Sequence, residues 1–317
     1  QCKNNLKQMG LALHNYHDAS GVFPPANIRA YNSTTLLEYG NGFAWGALIL
    51  PHMDQAGLYG LLDFNIGCFE GTNKTVILSL NGMPGVICPS DANRSRTIGI
   101  NVGQPNGMTS VPNTSYFGTC GPFIYTGEST NTNYASGFFR TQNGPAVSIS
   151  SIRDGTSNTI AVGERSARWR TDGSWLGIQS ATQSPIGGAS DPVNNVHWYL
   201  TYGLYRPGTS LPAGDTVRVS SDHQGGVQVL MADGSVKFLS ENINHTLSGD
   251  AADAANVPFG IGCNWRNGVA GCADGSPPTA TPAGTGGMWN DKQGMRNLMG
   301  VYQRLHSGND GLDVGEF

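Results

Sequence analysis

SDHQGGVQVLMADGSVKFLSENI, Ser221–Ile243, decides how this chain folds. Val227, Val229 and Met231 alternate with Gln228, Leu230 and Ala232, and Val236 and Phe238 alternate with Lys237 and Leu239. Runs with a period of two are strands. Between them stands Asp233-Gly234, a dipeptide that tolerates the positive φ of a tight hairpin turn. Gly225-Gly226 opens the first run, where a bulge or a close backbone approach is expected. The stretch is a β-hairpin, and other parts of the chain must pack on it.

The N-terminus offers one such partner. Leu6, Met9, Leu13 and Tyr16 recur at three- and four-residue spacing, with Leu11 beside them, so Cys2–Ala19 reads as a helix. Ser20-Gly21 stops it and Pro24-Pro25 forbids its return. No residue caps its start. Gln1 begins as if in mid-helix, so a longer native helix is expected, with residues 1–20 as its C-terminal half. Phe43–Phe64 is a second mainly helical region, divided by Pro51 into a short helix and His52–Leu62. Trp45, Leu48, Leu50, Leu58 and Tyr59 are read there as core. Gly137–Arg140, Ala146–Ile152 and Thr159–Val162 are strand candidates. Asn290 can cap a helix over Asp291–His306, with Met295, Leu298, Met299, Tyr302 and Leu305 on one face.

At 317 residues the chain can bury a sizeable core. Only 13% of residues are charged and 45 are glycine, which predicts many loops and a sparsely charged surface. A net charge of −4 leaves no basic footprint for nucleic acid. No apolar run is long enough to span a bilayer, so a membrane enters only through a segment upstream of Gln1. Six cysteines, Cys2, Cys68, Cys88, Cys120, Cys263 and Cys272, favour an oxidising compartment and up to three disulfides.

His223 precedes Asp233-Gly234 by nine intervening residues. This pattern resembles the C-terminal H-x9-DG signature of the DUF1559 family, bacterial and mainly planctomycete proteins with a prepilin-type N-terminus. CKNNLKQMGLALHNYHDASGVFPPA is similar to the family's segment just after its apolar half-helix. Cys88-Pro89-Ser90-Asp91, Thr114–Gly118, Asp154–Ile160 with Val162-Gly163-Glu164, and VYQRLHSGNDGLDVGEF at the end resemble further family elements. The resemblance covers both ends and the middle. It implies one domain over 1–317 with loop-rich insertions at 93–136, 165–214 and 244–287. It also implies a pilin-like plan, a helix on an antiparallel sheet, and His223, Asp233 and Gly234 as structural residues. Cys2 and Cys88 both sit in matching segments, and a Cys2–Cys88 disulfide is expected to hold the uncapped helix start. Cys263–Cys272 follows from proximity and Cys68–Cys120 by elimination.

The search for chemistry yields little. Ser220, Ser221, Asp222 and His223 form the only local acid–His–Ser group, but a catalytic triad normally draws on separate segments. There is no G-x-S-x-G, P-loop, HExxH or EF-hand pattern. His14 and His17, with His52 nearby, have helical spacing for a metal but no supporting Cys or carboxylate. Asp154, Ser157, Asn158 and Glu164 offer oxygen ligands for Ca²⁺. An Asx-type turn satisfying its own amides is the competing reading, because calcium loops usually need more carboxylates. Trp169, Trp175, Trp198, Tyr199, Tyr202 and Tyr205 either pin loops and core or expose a glycan-stacking surface.

The expectation is an α+β, pilin-like ectodomain with no cofactor and no catalytic residues. It is a non-enzymatic cell-envelope or extracellular subunit that associates with itself or with other pilin-like subunits. The assembly would be a surface appendage or a type II secretion-like pseudopilus. The alternative is an extracellular glycan- or solute-binding surface protein.

Overall fold

The structure is a computed structural model that describes residues 1–31, 38–98, 110–121, 137–140, 146–168, 173–179, 200–201, 203, 207, 218–244, 301–308 and 314. Helix α1 runs Cys2–Ser20. Leu6, Met9, Ala12 and Leu13 are buried along one stripe, while Lys3, Asn4, Lys7, Gln8 and Leu11 face outward. Three- and four-residue spacing gathers that stripe on one side. Gly21 ends the helix in the left-handed region (φ 74°) and donates its N–H to His17 O, the usual glycine stop. No side chain caps the start.

The strands are β1 (Asn27–Tyr31), β2 (Glu38–Ala44), β3 (Thr97–Ile98), β4 (Val111–Pro112), β5 (Tyr116–Thr119), β6 (Ile160–Glu164), β7 (Gly177–Gln179), β8 (Leu200–Thr201), β9 (Gly226–Met231) and β10 (Val236–Ser240). Short helices α2 (Trp45–Leu48), α3 (Ala56–Tyr59), α4 (Gly71–Leu78) and α5 (Val301–Leu305) are also described, with 3₁₀ turns at Leu50–His52, Ile149–Ser151 and Thr156–Asn158. A five-stranded sheet has the order β10-β9-β6-β5-β8, antiparallel except for β5 with β8. A three-stranded antiparallel sheet has the order β1-β2-β7, and β3 pairs with β4.

The predicted hairpin is β9 and β10, with Val236 opposite Leu230 and Ser240 opposite Gly226. Its loop holds three residues rather than two. Gly234 N–H bonds Met231 O at 3.0 Å and Met231 N–H bonds Ser235 O at 2.8 Å. Gly234 takes φ 82°, whereas Asp233 stays at negative φ. This is a turn closed by a left-handed residue, which glycine fills without steric cost.

Alternation along β9 places apolar side chains on both faces of the larger sheet. Leu230 and Ala232 join Leu6, Met9 and Leu13 of α1 in the main core. Val227, Val229 and Met231 join Ile160, Leu239, Tyr302, Leu305 and Val314 in a second core on the opposite face. The sheet is thus covered by α1 on one side and by α5 on the other. Gly10 brings α1 onto the hairpin turn: a Cβ there would lie 2.8 Å from Leu230 Cδ1 and 3.3 Å from the Gly234 Cα.

Several expectations need correction. Phe43 lies inside β2 rather than opening a helix, and His52–Leu62 shrinks to α3. Leu50–His52 tightens into a 3₁₀ turn at Pro51, and Asp54 at φ 57° breaks the path between them. Ala146–Ile152 holds a 3₁₀ turn at Ile149–Ser151 instead of a strand. Ser148 and Ser151 form a reciprocal capping box there, which competes with extended backbone. Gly137–Arg140 is a bend. Of the helix expected over Asp291–His306, Val301–Leu305 is described and helical, and the remainder up to 300 lies outside the described residues.

Candidate functional site: a disulfide, an imidazole and a buried carboxylate

The site forms where the first turn of α1 meets the Cys88 corner. Cys2 and Cys88 are joined by a disulfide, with Cα atoms 4.9 Å apart. The corner is held from behind by Asp91. Its backbone N–H donates to Cys88 O at 2.9 Å, and its carboxylate takes Arg94 Nε at 2.7 Å in a fully buried ion pair. The same carboxylate accepts Ser115 Oγ at 3.0 Å and the Ala167 N–H at 2.9 Å. Ser115 Oγ in turn accepts the Cys88 N–H at 3.1 Å. A buried charge needs this density of partners to be tolerated. The helix start joins the same network. Asn5 Nδ2 donates to Ile87 O at 3.2 Å and to Tyr116 Oη at 3.1 Å, which ties the first turn to the corner.

Glu164 arrives from β6 by way of a bulge. The β6–β9 register shifts between Ile160, opposite Met231, and Val162, opposite Leu230. One extra residue reverses the parity of every later side chain. Ile160 therefore faces α5, and Val162 and Glu164 face α1. Glu164 is 2% exposed. Its Oε2 accepts the Gln228 N–H at 3.0 Å, continuing the ladder by side chain where backbone pairing stops. Its Oε1 is buried and faces His223 Nε2 at 3.5 Å.

His223 sits on the approach to β9. Ser221 Oγ accepts its backbone N–H at 2.8 Å and donates to Gly226 O at 3.3 Å, which fixes the loop. His223 Nε2 lies 3.8 Å from Cys88 Sγ. The Glu164 carboxylate raises the imidazole pKa above its ordinary value, with burial opposing it. One ligand-type atom from each of Cys2, Cys88, Glu164 and His223 lies within 4.8 Å of all the others.

The other candidate residues fall elsewhere. Asp233 Oδ1 accepts the Ser235 N–H at 2.8 Å and Asp233 N–H donates to Thr156 O at 3.1 Å, so both Asp233 and Gly234 serve the turn. Asp154, Ser157 and Asn158 form a turn in which Asn158 Nδ2 donates to Asp154 O at 3.2 Å. Glu164 stands at the far end of β6, roughly 13 Å along the strand from Ile160. The proposed calcium set therefore does not come together. Ser220 Oγ accepts the Ser166 N–H and Asp222 Oδ1 accepts Ser166 Oγ, while His223 turns to Glu164 and Cys88. His14 Nε2 meets Ala232 O at 3.0 Å and His17 packs on Phe23, while His52 packs on Tyr16.

Cys68 and Cys120 are not bonded to each other; both are free and buried. Cys68 packs against Gly177 of the three-stranded sheet, whereas Cys120 Sγ donates to Thr201 O of the five-stranded sheet at 3.2 Å. Burial pushes the Cys120 thiol up to about 12 and the Cys68 thiol well above its ordinary value. Cys263, Cys272, Trp169, Trp198, Tyr199, Tyr202 and Tyr205 lie outside the described residues. Trp175 is core, edge-on to Trp45.

The gathering of Cys2, Cys88, Glu164 and His223 was missed by reading the sequence. Its signal was present: each of the four lies in a different segment that resembles the family.

Fold and site define an α+β protein whose N-terminal helix packs on an antiparallel-rich sheet and is bonded covalently to the loop at Cys88. The family described as "Protein of unknown function (DUF1559)" matches residues 1–246, and the chain belongs to that family. Membership supports a secreted or surface protein. No curated protein and no solved structure matches the chain. No described helix is long and apolar enough to cross a membrane.

Proposed function

We propose that the chain is a non-enzymatic, pilin- or pseudopilin-like structural subunit of the cell envelope or extracellular space. The observation that carries this reading is the seating of α1. The helix lies on an antiparallel sheet, and its first turn is bonded through Cys2 to the Cys88 corner behind β5. A subunit that hands load from an N-terminal helix to its globular part needs that junction to be strong. The outward stripe Lys3, Lys7, Gln8 and Leu11 remains free of the sheet. In this reading an apolar helical segment upstream of Gln1 anchors the subunit and drives assembly with itself or with other pilin-like subunits. The polar groups around the corner support the non-enzymatic part, since Asp91 is committed to Arg94 and Ser115 to Asp91.

The test is made on the complete gene product in its own host. Surface-exposed multimers that pellet on ultracentrifugation, and that chemical cross-linking captures through the α1 face, are expected. A monomeric surface product that binds a defined sugar on a glycan array would overturn the reading in favour of a glycan- or solute-binding protein.

A further inference from the structure

We propose that Cys2, Cys88, His223 and Glu164 form a redox-gated metal site, closed as the disulfide and competent for one Zn²⁺ when the two sulfurs are reduced. The inference goes beyond the structural role above and holds whether or not the chain polymerises.

The geometry comes first. Zinc bound by two thiolates, an imidazole and a carboxylate is tetrahedral, with metal–ligand bonds of about 2.0–2.3 Å. Those bonds set ligand–ligand edges of about 3.4–3.8 Å. Here Cys88 Sγ and His223 Nε2 are 3.8 Å apart, and His223 Nε2 and Glu164 Oε1 are 3.5 Å apart. The bonded sulfurs are the closest pair, reduction frees them to part by side-chain rotation, and every other pair of the four ligand atoms lies within 4.8 Å. Two soft thiolates with one imidazole select zinc over magnesium or calcium.

The surroundings are those of a ligand shell. Cys2, Cys88 and Glu164 are almost fully buried, and His223 is partly open, which provides a route inward. Glu164 Oε1 is buried and faces the His223 imidazole, itself a candidate ligand, while Oε2 is held by the Gln228 N–H. The carboxylate is thus positioned with one oxygen left for a cation. Ser90 Oγ, 3.8 Å from Cys2 Sγ, and Ser115 Oγ on the Cys88 N–H supply outer support.

The redox step balances with a dithiol as reductant. The Cys2–Cys88 bond breaks, a disulfide forms in the dithiol, and its two protons pass to the cysteines. Zn²⁺ then displaces both thiol protons, and the His223 proton where the imidazole carries one.

The full chain carrying C263S and C272S is reduced with a phosphine, desalted without air and titrated with Co²⁺. The expected result is one equivalent bound, with tetrahedral d–d bands and a thiolate-to-cobalt charge-transfer band. The oxidised chain shows neither. His223→Ala and Glu164→Gln each weaken binding at least about tenfold, the scale seen even for outer-shell changes. Zn²⁺ also protects Cys2 and Cys88 from alkylation, read peptide by peptide, and restores near-UV dichroism if reduction has loosened the fold. A reduced chain that takes up no metal overturns the proposal. So does uptake indifferent to both substitutions, or reduction that unfolds the chain irrecoverably in the presence of Zn²⁺.

Discussion

The two ends of α1 are held in opposite ways. Its first turn is fixed by a covalent bond and a polar network: Cys2 to Cys88, and Asn5 to Ile87 and Tyr116. From its middle onward it is fixed by packing, with Gly10 against the Gly234 turn, Leu13 in the core and His14 on Ala232 O. At the first end, strength comes from closing a long loop and satisfying buried charge. At the second, it comes from close approach that a single methyl disturbs. The difference predicts where substitutions hurt most.

Cys2→Ala with Cys88→Ala should have the largest effect. The crosslink spans a separation of 86 residues, and the chain-entropy argument gives on the order of 4–5 kcal/mol for such a loop. Urea unfolding should show that loss. Asp91→Ala comes next. It strands the buried Arg94 guanidinium without its carboxylate, which costs roughly 3–5 kcal/mol, and the same denaturation series measures it.

At the packed end the effects are smaller. Gly10→Ala should cost about 1–3 kcal/mol, because Leu230 and the hairpin turn must give way together. Gly234→Val should cost about 1 kcal/mol or somewhat more, since a Cβ at φ 82° is strained even though it would meet the His14 ring only at ordinary contact distance, 3.6 Å. Reversing that order would place the rigidity in the turn rather than in the helix contact.

The smallest effect is a pH dependence confined to the first end. Glu164 raises the His223 pKa, so folding favours the protonated imidazole. That contribution is complete below the unfolded value of about 6.5 and fades as pH rises through the raised folded value. Melting temperatures should therefore fall from about pH 6 to about pH 8 more steeply in the native chain than in Glu164→Gln. Identical slopes would mean that the pair contributes nothing.

The same contrast explains what the sequence revealed. The α1 stripe and the β9–β10 hairpin are local periodic patterns, and both formed close to their expected bounds. Both faces of β9 proved buried because α5 covers the second, a pairing that no local period encodes. The first end was legible only in fragments. Cys88, Glu164 and His223 come from distant segments, and Glu164 faces α1 only because of the β6 bulge. Alternation alone would put it with Ile160 on the other face. β2, EYGNGFA, carries too many glycines for a clean strand pattern, so its sheet with β1 and β7 was unseen. Cys68 and Cys120 were paired by counting, which ignores that each thiol is committed to a different sheet.

The family-like segments converge on one covalent corner at the start of α1. Non-reducing peptide mapping of protein recovered from its own host, with thiols blocked before and after denaturation, is the decisive measurement. One linked species containing Cys2 and Cys88 is expected, with Cys68 and Cys120 labelled only after unfolding. A free thiol at Cys2, or Cys2 linked to any other cysteine, would contradict it.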